Sequence, residues 1–430
     1  MKVLVLSNSP WNTGNSFGNS FSNIFDGIEN IRFANVFCRS GSPKNELDMR
    51  FFQITERTLL KNLMNPSLSS GYRCEGKSFC TKRSKEQSEE SAVYRQAKTL
   101  RWQVFFWARD LIWKVGRWKS PELLAFLDAF QPDLIFQPVY YSSYLNDMAQ
   151  FIKTYTGAPM VGYISDDCYT LRQFHWSPLY WIDRLWKRKK VKATIDQCEL
   201  LYVISQIQKE EYEKLFTPPC KILTKSADFR ADAPCWPALE GEVRLLYAGN
   251  LGAGRWKSLA LIAKAVARLR EEGYRITLDT YSATPQTKAM ERALQTNGCT
   301  LHGAVPFAQV QELQRQADVV IHVEGLSLKS RLAVHQSFST KLVDYFALGK
   351  CIFAVGTPDV ASVRHLLDND AAVVAETADK VYEKLKQLLD HPQLLREYGQ
   401  KAYLCGRRHH DKTAMQTMLM EDLKRIVENR

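Results

Sequence analysis

The chain reads as an α/β protein in which two parallel-sheet domains face each other across a cleft. Its 430 residues are too many for one ordinary core and divide into two domains of about 200 residues each. Short apolar runs alternate with helical segments in two successive series, the order that open parallel sheets produce. Between the series, residues 228–240 (DFRADAPCWPALE) hold two prolines and little periodicity, which marks a linker. The expected division is 1–227, the linker 228–240, 241–400, and terminal helices over 401–430 that pack back on the first domain.

In the first series, Val3 to Leu6 is a strand leading into a Gly/Ser/Asn-rich loop, Ser7 to Ser20, and Ile31 to Phe37 is a second strand. Residues 65–91 are polar and predict a long loop. Ala92 to Trp118 is helical, and Asp133 to Gln137 and Met160 to Ile164 are buried strands. Leu179 to Gln197 is a basic helix; Leu200 to Ile204 and Lys221 to Thr224 close this half. The second series runs through strands at Arg244 to Tyr247, Ile276 to Asp279, Val319 to His322, Cys351 to Val355 and Ala372 to Val374. Leu259, Ile262, Val266 and Leu269 mark a helix at 3.6-residue spacing. Helices fill about Ala378 to Glu428. In sheets of this kind, ligands bind at the carboxyl ends of the strands.

Ten cysteines are scattered with no C-x-x-C pair, which argues against a zinc site or a disulfide framework and for a reducing compartment. No metal site is expected. The opening MKVLVLSNSP breaks its apolar run too early for a signal peptide, and no stretch approaches a membrane span. A cytoplasmic protein, peripheral at most to the inner membrane face, is the expectation. Net charge is +12. Residues 1–225 carry 31 Lys+Arg against 22 Asp+Glu, and the remainder 27 against 24. A basic surplus suits anionic partners, although on a chain this size it also serves solubility.

The most informative stretch is Ser337 to Gly356 (SFSTKLVDYFALGKCIFAVG). Ser339 is placed as an N-cap, Leu342, Tyr345, Phe346 and Leu348 form an apolar face, and Gly349 sits where a left-handed cap belongs. Thr340, Lys341 and Asp344 fall within one turn of the helix start, where backbone N–H groups attract anions. A hydroxyl, a cation and a carboxylate there suit a phosphate-bearing ligand with ribose hydroxyls nearby. Gly249 to Lys257 (GNLGAGRWK) also lies between a strand and a helix. Its glycines let backbone approach phosphate while Arg255 and Lys257 supply charge. Neither a G-x-G-x-x-G nor a Walker pattern is present.

Through Ser-x-Lys-Leu-x-(Glu/Asp)-Tyr-x-Ala-x-Gly-Lys, the chain resembles the GT-B glycosyltransferases, specifically the family 4-like nucleotide-sugar enzymes (glycosyl transferases group 1). The resemblance is best over 245–425, including the closing LLDHPQLLREYGQKA, fair over Leu200 to Phe216 and weak over 40–120. It implies two Rossmann-like domains with the nucleotide-sugar donor on the C-terminal side and the acceptor on the N-terminal side. Lys341, Arg255 and Lys257 would hold the donor diphosphate, with Gly249, Ser339 and Thr340 around it, and Asp344 the ribose. Two departures stand out: Gly249-Asn250 replaces the usual Gly-Arg, shifting the arginine role to Arg255, and Gln336 replaces an acid that usually touches the donor sugar. Asn8 to Ser20 occupies the place of the N-terminal glycine loop, with Gly14 and Gly18 as its points of close approach. Asp166, after an apolar strand at the cleft edge, is the candidate for the reaction centre; helix capping by Asp167 is the plainer alternative for this pair. The expected activity is sugar transfer, with retention of configuration, from a nucleoside diphosphate sugar to a glycan or lipid-linked acceptor in cell-surface polysaccharide assembly, with no cofactor. A GT-B-fold epimerase and a non-catalytic basic protein are the alternatives; the absence of a nucleic-acid motif disfavours a nucleic-acid partner.

His322 and Glu324 end a strand at the cleft, and His409-His410 are expected to be solvated. Two basic aromatic helices, Arg101 to Lys119 and Leu185 to Lys192, have the composition of interfacial helices. The first is the candidate contact with an anionic membrane surface, against the plainer alternative that one face packs on the sheet.

Overall fold

The computed structural model describes residues 1–44, 47–74, 103–229, 234 and 241–429. The first half runs β1 (Lys2–Ser7), α1 (Ser16–Phe25), β2 (Arg32–Phe37), β3 (Met49–Ile54), α2 (Glu56–Met64), β4 (Gly71–Cys74), α3 (Gln103–Val115) and α4 (Pro121–Phe130). It continues with β5 (Leu134–Pro138), α5 (Ser143–Thr156), β6 (Met160–Ile164), α6 (Pro178–Ile195), β7 (Leu200–Val203), α7 (Gln206–Tyr212) and β8 (Cys220–Ile222). The second half runs β9 (Val243–Ala248), α8 (Arg255–Glu271), β10 (Ile276–Tyr281), α9 (Lys288–Leu294), β11 (Cys299–His302), α10 (Phe307–Gln316), β12 (Val319–Val323) and α11 (Leu328–Val334). Then follow α12 (Lys341–Leu348), β13 (Cys351–Val355), α13 (Ala361–Asp368), β14 (Val373–Ala375), α14 (Lys380–Asp390), α15 (Gln393–His409) and α16 (Lys412–Glu428).

The first sheet has the order β4-β3-β2-β1-β5-β6-β7-β8 and the second β11-β10-β9-β12-β13-β14. All pairings are parallel except β3 with β4. The strands read as near-continuous apolar runs because helices cover both faces of each sheet. Val3 and Val5 of β1 join one core with Trp11, Phe21 and Phe25, whereas Leu4 and Leu6 join another with Phe52, Trp113 and Met148. Strand order reverses beside β1 in the first sheet and beside β9 in the second, so each has a crevice there, between β1 and β5 and between β9 and β12.

Several expectations are corrected. Gly71–Cys74 is not loop but an antiparallel edge strand, whose glycine sits where a Cβ would strike Phe52 and Ile54; residues 75–91 of the same stretch lie outside the described residues. The helix expected over Ala92 to Trp118 is described from Gln103 to Val115, with Ala92 to Trp102 outside. Most of the linker 228–240 also lies outside; of it, Phe229 packs edge-on to Tyr403.

Helix α16 places Leu419 and Leu423 fully buried in the core formed by β1, α1 and β7. Its Asp422 accepts from Tyr202 Oη (3.0 Å) and pairs with Lys221 (2.6 Å). An Asp411 side chain capping Ala414 N (2.9 Å) starts the helix, and Ala227 exchanges backbone bonds with His410 and Lys412. His410 is correspondingly buried, not solvated, and bonds Thr224 Oγ1 through Nδ1 at 2.9 Å.

Candidate active site

Each half of the candidate site is built on the carboxyl ends of its strands. On the second domain, β9 ends at Ala248 and the chain turns through Gly249. Asn250 Oδ1 accepts from Gly252 N (2.6 Å), and Ala253 and Gly254 both take positive φ, 52° and 81°. Only glycine suits position 254, where a Cβ would also meet Ser330 Oγ at 2.5 Å. This turn sends Arg255 into the first turn of α8, facing Glu324 at the end of β12. The guanidinium grips that carboxylate with two bonds, Nε–Oε2 2.9 Å and Nη2–Oε1 3.3 Å.

Lys341, the first residue of α12, reaches back over this turn. Its Nζ donates to Ala248 O (3.1 Å) and lies 4.8 Å from the Tyr247 ring centre. A Cβ on residue 249 would stand 2.0 Å from that Nζ, so glycine here makes room for the lysine. Burial and the neighbouring Arg255 push the Lys341 pKa down to about 8, against the pull of Glu324 and Asp344. Burial raises the Glu324 carboxyl while Arg255 opposes it. His322 is driven down to about 3 by burial with Lys341 and Arg255 nearby, so it is neutral near pH 7.

The N-cap of α12 is Thr340, in αR conformation and without a side-chain capping bond. Ser339 is therefore not the cap: its N–H donates to Ser362 Oγ (2.8 Å) and its carbonyl accepts from Leu342 N (3.1 Å). Gly349 does close the helix at φ 60°. Asp344, on the exposed side of the first turn, pairs across the cleft with Lys225 at 2.5 Å. Lys257 is exposed, with its Nζ 5.8 Å from the Trp256 ring.

The first domain supplies the other wall. A cavity of about 540 Å³ is floored by Asn8 and Ser9 after β1, Tyr140 after β5 and Asp166 after β6, with Lys225 after β8. Of the residues singled out in the sequence, Asp166 and Thr340 line it. Lys341, Arg255 and Gly249 form a second group on the C-terminal side, joined to the cavity through Asp344 and Lys225. Asp166 is open to the cleft and accepts from Ser337 Oγ at 3.5 Å; burial of its other sides and the adjacent Asp167 raise its pKa. Asp167 caps no helix, because the next one starts only at Pro178 with Ser177 as its N-cap; instead it holds a loop turn, accepting from the N–H groups of Tyr169 (2.9 Å) and Thr170 (2.7 Å), and pairs with Arg184 at 3.3 Å.

Gly14 is exposed and donates to Asn12 Oδ1 (2.8 Å). Gly18 serves internal packing, since a Cβ there would lie 2.1 Å from Asn12 O. Neither lines the cavity, whereas Asn15 between them does. Gln336 turns away into the first domain: buried, it donates to Glu211 Oε2 (2.6 Å) while its carbonyl accepts from Ser205 Oγ (2.7 Å). Lys225 and Tyr140 carried no sequence signal beyond their strand-end positions, whereas Asn8 opens the loop, Asn8 to Ser20, singled out in the sequence. Of the basic stretch Arg101 to Lys119, whose described helix ends at Val115, Trp113 and Trp118 point inward to the core and Trp107 Nε1 donates to Asp183 (3.0 Å); Arg101 and Trp102 lie outside the described residues. Among the described residues, no cluster of His, Cys, Asp and Glu is placed to hold a metal ion, and no helix is long and apolar enough to cross a membrane.

Residues 242–391 match the family Glycosyl transferases group 1. No curated protein matches the sequence. Among solved structures, the chain is similar to HepE of Anabaena in complex with UDP, at 10% identity and TM-score 0.63, covering 99% of this chain and 100% of that one. It is similar to sucrose-phosphate synthase of Thermosynechococcus elongatus at 10% identity and TM-score 0.61, covering all of both chains (100% and 100%). It spans only 61% of the matched chain of the GtfA/B complex and 57% of TarM, at 12% and 11% identity and TM-scores 0.53 and 0.51, with 72% and 70% of this chain covered. At these identities the likeness establishes the fold, GT-B, with two Rossmann-like domains.

Proposed function

We propose that this chain, a GT-B glycosyltransferase with a group 1 domain over 242–391, moves a sugar from a nucleoside diphosphate sugar to a glycan or lipid-linked acceptor. The observation that carries the proposal is the half-buried Lys341 ammonium beside Gly249, at a helix start whose first-turn N–H groups have no side-chain cap. A cation held out of water with a lowered pKa is stabilised by an arriving anion. Amides at a helix start add to that attraction.

In the reaction, the bond from the anomeric carbon to the diphosphate oxygen breaks. The acceptor oxygen bonds to the same carbon on the same face, and its proton passes to the departing phosphate. Charge grows on the diphosphate, and Lys341, Arg255 and the α12 amides stabilise it there, the largest electrostatic demand of the step. Asp344 takes the ribose hydroxyls in place of Lys225. Asp166 accepts a hydrogen bond from a hydroxyl of the reacting sugar or acceptor. Lys257, Ser339 and Gly14 are at most peripheral to the donor. The nucleotide sugar is a co-substrate, and the step as written calls for no cofactor. A cytoplasmic protein acting in cell-surface polysaccharide assembly fits the basic first half.

Thermal-shift screening against UDP-, GDP- and TDP-sugars tests this, because a ligand that binds the folded state raises the melting point by mass action. Product analysis without acceptor should show slow hydrolysis and no epimer. Lys341→Ala and Asp344→Ala are each expected to weaken binding by at least about tenfold, the loss of one charge-assisted contact. If no nucleotide sugar binds or is hydrolysed and both variants match the parent, the proposal fails.

A further inference from the structure

The first turns of α6 are folded inside out. Asp183 and Lys187 are 1% and 2% exposed, while Ile182 and Leu185 beside them are 57% and 50% exposed. The inward charges are paired with one another and with neighbouring elements. Lys187 Nζ lies 2.9 Å from Asp183 Oδ1 and 3.1 Å from Asp110 Oδ2 on α3. Asp183 also accepts from Trp107 Nε1 (3.0 Å) and Tyr141 Oη (2.7 Å), and Arg184 donates to Thr170 O at 3.0 and 2.7 Å. A helix that faces water normally shows the reverse pattern. Here Leu179, Ile182 and Trp186, at i, i+3 and i+7, form an apolar stripe toward the outside, and Trp176 in the preceding loop is 86% exposed.

The helices linked to α6 expose apolar side chains as well. The Trp107–Asp183 bond holds α3 beside α6, and Trp113 Nε1 donates to Glu56 of α2 (2.9 Å). Leu111 and Val115 of α3 and Leu60 and Met64 of α2 are exposed in turn. Large apolar side chains exposed on three helices of one domain are the kind of surface that interaction sites use. The same helices also expose basic side chains, Lys61, Lys114, Arg117 and Lys189, whereas of their carboxylates Asp110 and Asp183 are buried and the half-buried Glu56 is taken up by Trp113 Nε1. A second copy of the chain would bring these cations against their own kind.

We infer that this face docks on a lipid bilayer with anionic headgroups. Indole and aliphatic side chains enter the boundary between headgroups and acyl chains, and the exposed cations meet lipid phosphates. The surface is tied to the cavity wall by sequence: the segment that follows β6 carries Asp166, which lines the cavity, and leads on to α6 at Pro178. Resting on the transferase reading, docking would bring the cleft to a lipid-linked acceptor; the docking itself does not depend on that reading.

Co-sedimentation of the full chain with phosphatidylcholine vesicles, with and without phosphatidylglycerol, provides the test. Binding should be at least about tenfold tighter to the anionic vesicles, as several basic side chains near the surface require. The Ile182→Ser/Leu185→Ser double variant should weaken it by about tenfold or more. A melting curve of that variant matching the parent's shows that it folds. A second probe uses Trp176→Phe/Trp186→Phe: brominated acyl chains should quench parent fluorescence and quench this variant much less. Nucleotide-sugar hydrolysis should be unchanged in all of these proteins, which separates failure of docking from failure of the transferase reading. No binding to anionic vesicles, equal binding by the serine variant, or a dimer that the serine variant dissociates would each overturn the inference.

Discussion

Lys341 is a cation at a place where water cannot fully solvate it, and its titration should be readable in solution. Its pKa lies at about 8 in the folded chain against an ordinary 10.5. Between those values the unfolded chain holds a proton that the folded chain has released, so this residue's contribution to stability rises with pH across that window and is constant below it. Donor binding should show the opposite dependence. A diphosphate favours the charged lysine, so affinity measured by calorimetric titration should be flat below pH 8 and fall by up to about tenfold per pH unit above it. Lys341→Arg, which keeps its charge, should flatten the fall. Gly249→Ala should weaken donor binding without unfolding the domain, since its Cβ would occupy the space of a flexible side-chain tip. Glu324→Ala frees Arg255 and removes a buried acceptor set; a loss of about 1–3 kcal/mol in chemical denaturation is expected. Little of this was legible in sequence. Lys341 and Arg255 stood out by position next to helix starts, but Glu324 as the partner of Arg255, and Lys225 as that of Asp344, arise only when separate strand ends meet.

At the level of elements, the buried parallel strands were the clearest signal, because helices on both faces make them continuous apolar runs such as Met160–Ile164 and Cys351–Val355. The strands that escaped notice are those without that signature. Met49–Ile54 carries Arg50 and Gln53, Cys299–His302 alternates Thr and His with apolar residues, and Gly71–Cys74 is a four-residue antiparallel edge. Helix starts were poorly legible: Ser339 reads as a cap although α12 starts without a side-chain bond, while Thr55, which does cap by accepting from Thr58 N (3.2 Å), and the helix it begins escaped notice. Helix α6 misled for a different reason, since its apolar and charged residues have exchanged their usual sides and composition cannot show which faces in. Helix α16 offers the sharpest energetic test. Leu419→Ala or Leu423→Ala removes a fully buried side chain and should cost about 2–5 kcal/mol in equilibrium unfolding.

Over the whole molecule, the two crevices created by strand-order reversal lie on facing domains, so both walls of the cleft are strand ends of the same kind. Ser205 with Gln336, Glu211 with Gln336 and Lys225 with Asp344 bind the walls together. A nucleotide sugar at a hundredfold excess over its Kd should stabilise the folded chain by about 2.7 kcal/mol. Removing residues 412–430 should lower the melting temperature of the first domain selectively, and differential scanning calorimetry should then resolve a separate early transition. That exchange of material between domains also bears on how the protein is made. Tyr202 and Asp422 are 220 residues apart in sequence yet share a buried bond, and domains fold in the order in which a ribosome delivers them. The first domain must therefore wait, with a core still open to chaperones and proteases, until the second has been synthesised and its closing helix has left the exit tunnel.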